Sequence, residues 1–117
     1  MSVTIYHNPK CSKSRQTLEL LEKQGITPDI IEYLKSPPTA EQLQEILAQL
    51  GFMPRDLMRK KEDIYAECEL DNPSLTDVEL VNFMIKHPIL IERPIILANG
   101  KAAIGRPPEQ VLKILSM

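Results

Sequence analysis

The sequence predicts an α/β fold: one four-stranded mixed sheet with helices against it and an extra helical lobe. Three observations carry this expectation. The chain opens with strand-like apolar runs at 3–6 and 29–33 that flank a helical pattern over 12–24. A strand–helix–strand unit of this kind pairs its strands in parallel. Near the other end, Asn99-Gly100 separates apolar runs at 95–98 and 101–104, the strongest short signal for an antiparallel hairpin. Between the two, residues 39–87 show helical signals only. A chain of 117 residues fits one domain, 1–117, carrying a helical insertion at about 39–87.

Each element has a local cause. Val3-Thr4-Ile5-Tyr6 is rich in β-formers, and His7-Asn8-Pro9-Lys10 is a turn. The helix over 12–24 sets Thr17, Leu18, Leu20 and Leu21 on an apolar stripe, with Gly25 as its stop. Ser36-Pro37-Pro38 then breaks the chain. Thr39 and Gln42 form a capping box ahead of Leu43, Ile46, Leu47 and Leu50, and Gly51 ends that helix. Pro54 starts a short helix through Met58. Residues 62–74 are polar, with a helical turn or two at 64–67. Thr76 and Glu79 make a second capping box before Leu80, Phe83 and Met84, and His87-Pro88 closes it. Pro107-Pro108 leads into a last helix over 108–115, with Val111, Leu112 and Leu115 expected inward.

Composition narrows the function. With a net charge of −2 and 26% charged residues, the chain shows no bias toward nucleic acid or membrane surfaces. No apolar run reaches the length of a bilayer span, and the first residues lack a signal-peptide layout, so a cytoplasmic protein is expected. The two cysteines, Cys11 and Cys68, are too widely spaced for a zinc pattern. A permanent disulfide is not expected in a reducing compartment. No metal or resident cofactor is expected.

The chemistry centres on residues 7–15. Cys11 falls where a strand turns into a helix. Free backbone N–H groups and the positive end of the helix dipole favour a thiolate there, and the same groups can hold an oxyanion. Ser14 stands where a C-x-x-C motif would place its second thiol, so Cys11 has no resolving partner in its own turn. Arg15, Arg59, Arg93 and Arg106 each lie at an element boundary or in a first helical turn. Converging guanidinium groups would bind a small oxyanion, and the alternative is that they are solvated surface groups with local salt bridges. His7 has two readings: an imidazolium that lowers the thiol pKa, or a group that holds the turn by hydrogen bonds.

Four motifs together resemble the glutaredoxin-dependent arsenate reductases of the ArsC family, in a shorter branch. They are His7-Asn8-Pro9-x-Cys11-x-x-Ser14-Arg15, Leu57-Met58-Arg59-Lys60, His87-Pro88-Ile89-Leu90-Ile91-Glu92-Arg93-Pro94 and Gly105-Arg106-Pro107. Ser12-Lys13 replaces the Gly-Thr associated with the better characterised enzymes. The resemblance implies a thioredoxin-like (glutaredoxin-like) fold, with Pro94 as a cis-proline at the site. It implies Cys11 as nucleophile, Arg59, Arg93 and Arg106 as oxyanion-binding catalytic groups, Ser14 and Arg15 as substrate-binding residues, and His7 as a stabiliser of the thiolate. Arsenate would be the substrate, glutathione the co-substrate and glutaredoxin the partner that restores the enzyme.

Two rival functions follow from the same fold. One is a redox-sensing transcription regulator that binds RNA polymerase; Ser14 in place of a second cysteine speaks against it. The other is a glutathione-dependent thiol oxidoreductase without arsenate specificity, which has no need of arginines at three separate boundaries.

Overall fold

In the computed structural model, which describes residues 2–115, the central strand is β1 (Val3–His7). It pairs in parallel with β2 (Asp29–Glu32) and antiparallel with β3 (Ile95–Ala98), and β3 pairs antiparallel with β4 (Lys101–Ile104). The order is β2-β1-β3-β4, the mixed sheet expected from the sequence. The turn joining β3 to β4 needs positive φ at both central residues, and Asn99 and Gly100 adopt 55° and 71°. The Asn99 side chain also donates to the Ile114 carbonyl at 2.8 Å, tying the hairpin tip to the last helix.

The register decides which loops meet. Tyr6 lies opposite Ile95, and Ile95 lies opposite Ile104. The end of β1, the start of β3 and the end of β4 therefore share one edge of the sheet. Three segments leave from that edge: the turn before Cys11, the Arg93-Pro94 pair and the Gly105-Arg106 pair.

α1 (Ser12–Lys23) is the crossover helix between β1 and β2. Its inner face carries Ser14, Thr17 and Leu21, all fully buried. Leu21 joins Val3, Ile5, Ile96, Ala98, Val111 and Ile114 in one apolar core. Pro108–Val111 forms a 3₁₀ turn before α5 (Leu112–Leu115), so the helical phase differs from the expected single α-helix. Val111 and Ile114 are buried while Leu112 is exposed, which corrects the expectation that Leu112 faces inward. The physical reason is the tighter 3₁₀ winding that follows two consecutive prolines.

The chain divides into two compact units: residues up to Ser36 with those from Arg93 onward, and Pro37–Glu92. The second unit contains α2 (Ala40–Leu50), α3 (Asp63–Glu67) and α4 (Asp77–Lys86), with 3₁₀ turns at Pro54–Leu57 and Pro88–Leu90. Both capping boxes form: Thr39 accepts from the Gln42 amide at 3.1 Å and Thr76 from the Glu79 amide at 3.2 Å. Gly51 ends α2 in the left-handed conformation, φ 70°. α2 packs on α4. Met58 and Ile91 bridge in antiparallel fashion, with Arg59 N–H donating to Leu90 O and Glu92 N–H to Leu57 O. The polar segment is held by Arg55, which donates to the Leu70 and Asn72 carbonyls at 3.1 and 2.7 Å. Among the described residues, no helix is long and apolar enough to cross a membrane.

Candidate active site

The turn from His7 to Cys11 is pinned from within. The Asn8 side chain accepts from Lys10 N–H at 3.0 Å, and Cys11 N–H donates to the Asn8 carbonyl at 3.0 Å. Ser14 Oγ accepts from Asn8 N–H at 3.0 Å and lies 2.6 Å from His7 Nδ1. Arg15 Nη1 donates to the Pro9 carbonyl at 2.9 Å. The result is a rigid approach that delivers Cys11 as the N-cap of α1, with extended φ and ψ of −94° and 123°.

The Cys11 residue is 8% exposed. Burial alone would push its thiol up. The Ser14 amide, the Arg93 guanidinium by hydrogen bond and by charge, and the Lys13 amide outweigh that, so the thiol lies below its ordinary value. On the open side, Arg106 Nη2 donates to Sγ at 3.3 Å, and Arg106 Nε donates to the Arg93 carbonyl at 2.7 Å. One arginine thus anchors on the backbone of the other, and both face a single sulfur.

The peptide bond before Pro94 is cis, and so is the one before Pro107. Gly105 stands between these two corners. Its N–H donates to the Pro94 carbonyl at 3.0 Å, and its carbonyl accepts from Thr17 Oγ1 at 3.4 Å. A Cβ placed at Gly105 would overlap Thr17 Oγ1 and come within 2.8 Å of Pro94 Cγ. Only a residue without a side chain lets β4 end this close to α1.

A thiolate with depressed pKa, two guanidinium groups beside it and a helix N-terminus beneath it form an anion site with a nucleophile at its centre. A profile of the ArsC family matches residues 6–114. The chain belongs to the ArsC family. An arsenate reductase from Haemophilus influenzae is 51% identical to it over 116 residues, covering 98% of this chain and 100% of that one. An arsenate reductase from Escherichia coli is 45% identical over 114 residues, covering 97% of this chain and 81% of that one. The solved structure of an arsenate reductase from Vibrio cholerae matches with a TM-score of 0.96 at 56% identity, covering 98% of each chain. The fold is thioredoxin-like, as the resemblance implied.

Against the ArsC-family expectations, the residues sort as follows. Cys11, Arg93 and Arg106 come together, and Pro94 is cis beside them. His7 takes the other of its two readings. Its ring is buried and engaged with Ser14 Oγ. Burial lowers its pKa, the Arg15 charge lowers it further, and Glu32 opposes only in part. The direction of that shift favours the neutral ring, which fits the turn-holding reading. The Ser14 and Arg15 side chains bond within the turn, Ser14 Oγ to His7 and Asn8 and Arg15 to the Pro9 carbonyl, while the Ser14 backbone amide acts on the sulfur. Arg59 lies in the second unit, where Nη1 meets Glu92 at 2.8 Å and Nε meets Glu62 at 3.2 Å. Cys68 is a free thiol capping α3.

Thr17 and Gly105 are the site-shaping residues that the sequence reading did not single out. The signal was present in Gly105, a lone glycine at a strand end just before Arg-Pro, since glycine in such a place marks close backbone approach.

Proposed function

We propose that this protein is an arsenate reductase whose electrons come from glutathione, with glutaredoxin restoring the enzyme. The observation that carries the reading is the pair of guanidinium groups on the Cys11 sulfur, with Arg106 Nη2 at 3.3 Å. A plain thiol–disulfide enzyme must lower a thiol pKa, but the disulfide sulfur its thiolate attacks is neutral and needs no counter-charge. Two fixed positive charges serve a reaction in which an anionic sulfur must approach an anionic oxyanion.

The steps balance. The Cys11 thiolate attacks arsenic, an oxygen leaves as water after taking up protons, and an S–As bond forms. A glutathione thiolate then attacks Sγ. The S–As electron pair stays on arsenic, which passes from the pentavalent to the trivalent state and leaves as arsenite. Cys11 is left in a disulfide with glutathione, and a glutaredoxin thiol attacks the glutathione sulfur to release it. Relatives named arsenate reductases, 45–51% identical over nearly the whole chain, support the choice of oxyanion. Arg59 enters this reading through its sequence motif alone, because Glu62 and Glu92 already engage its guanidinium.

The test couples arsenate to NADPH consumption through glutaredoxin, glutathione and glutathione reductase. Turnover is expected in the native protein and in Cys68→Ser, and none in Cys11→Ser. Reduction of a disulfide substrate with no response to arsenate would replace the proposal with the thiol oxidoreductase.

A further inference from the structure

The unit that holds Cys11 has a second feature that the anion site does not use. A groove of about 340 Å³ runs between α1 and the segment after Arg106, lined by Lys13, Gln16, Leu20 and Lys23 on one wall and Pro107 and Glu109 on the other. The helix residues recur at three- and four-residue spacing and so form one stripe. From Lys13 to Lys23 that stripe rises about 15 Å, at roughly 1.5 Å per residue. Two lining residues are neighbours of the anion site: the backbone amide of Lys13 acts on the Cys11 sulfur, and Pro107 follows the arginine that touches it. The volume is at the small end of the range for sites that hold small molecules.

The charges are mixed and discrete. Lys13 and Lys23 are cationic, and Glu19 and Glu109 are anionic. Lys23 meets Glu19 at 3.2 Å, but both side chains are well exposed, so this pair is weak and can exchange partners. A simple oxyanion would be served by lysines alone. A ligand with two carboxylates and one ammonium would use both lysines and a glutamate. Glutathione has that charge pattern. As a tripeptide it spans on the order of 10 Å when extended, which fits the stripe.

We propose that this groove is the seat of glutathione, both as it attacks Cys11 and in the mixed disulfide that results. The inference rests on the glutathione-dependent reading above and adds the place where the peptide lies. The carboxylates pair with Lys13 and Lys23, the ammonium with a glutamate, and the thiol stands at the sulfur end. No electrons move beyond the step already balanced: one S–S bond forms as the S–As bond breaks.

Two measurements test the groove. The first titrates S-methylglutathione, which cannot react, into the isotope-labelled native protein and follows amide chemical shifts. Changes centred on residues 13–23 and 107–109 are expected; changes centred elsewhere, or none, would overturn the proposal. The second compares steady-state constants in Lys23→Ala, a change far from the sulfur. KM for glutathione should rise about two- to fivefold, the worth of one exposed ion pair, while KM for arsenate stays put. An unchanged KM for glutathione alongside normal arsenate turnover would remove the groove and leave the reductase standing. If arsenate gave no turnover at all, the reductase reading would fail, and the S-methylglutathione titration would still judge the groove.

Discussion

A cysteine that is 8% exposed would ordinarily be a poor nucleophile, because burial favours the neutral thiol. Cys11 escapes this through neighbours that stabilise charge: two amides of the first helical turn and the guanidinium groups of Arg93 and Arg106. The pH dependence follows from the sign of the shift. Thiolate persists below the free-cysteine value of about 8.5 and is lost only as the pH falls through the lower folded value. Iodoacetamide labelling of Cys11 in Cys68→Ser should therefore show a midpoint under that value. Arg93→Ala should move the midpoint upward, and a midpoint unmoved in that variant would assign the depression to the helix start and Arg106. At this scale the sequence was partly legible. A cysteine between a strand and a helix declares its chemistry, but an arginine does not declare its target. His7 was undecided for a similar reason: the choice between imidazolium and turn-holder depended on Ser14 Oγ, seven residues further on and turned inward by α1.

Between residues and fold, Gly105 is the joint. It brings the end of β4 against α1 and against Pro94, and it hands the chain to Arg106. Gly105→Ala should cost about 1–3 kcal/mol, the usual range for forcing an extra carbon into a packed contact. Because Gly105 directly precedes Arg106 in the chain, arsenate KM should also rise. A stability loss in urea with unchanged kinetics would limit Gly105 to packing. The elements themselves were largely readable, since capping boxes, the Asn-Gly hairpin and the βα turn depend on neighbours in sequence. The last helix was misphased because its 3₁₀ start is set by Pro107-Pro108 and by packing on α1, which no periodicity count contains. The isolated Met58–Ile91 bridge was equally hidden, as it joins residues far apart in the chain.

For the whole molecule, sheet register does what local sequence cannot. The pairs Tyr6–Ile95 and Ile95–Ile104 put three distant segments on one edge. That edge also sets a pH limit on the fold. His7 is buried with its pKa held down, so the unfolded chain takes up the proton more readily than the native one. Stability should therefore fall as the pH drops below about 6.5, until the folded value is reached. Urea midpoints measured at pH 7.5 and 5.5 should differ less in His7→Gln than in the native protein; an equal difference would mean that His7 carries none of this dependence. The separation of Cys11 from Arg106, 95 positions apart, has a consequence in time. A ribosome reads the cysteine well before either of its arginine partners. Until Arg93 and Arg106 have emerged, the polypeptide carries that sulfur without the guanidinium groups that sharpen it, so full reactivity waits on them.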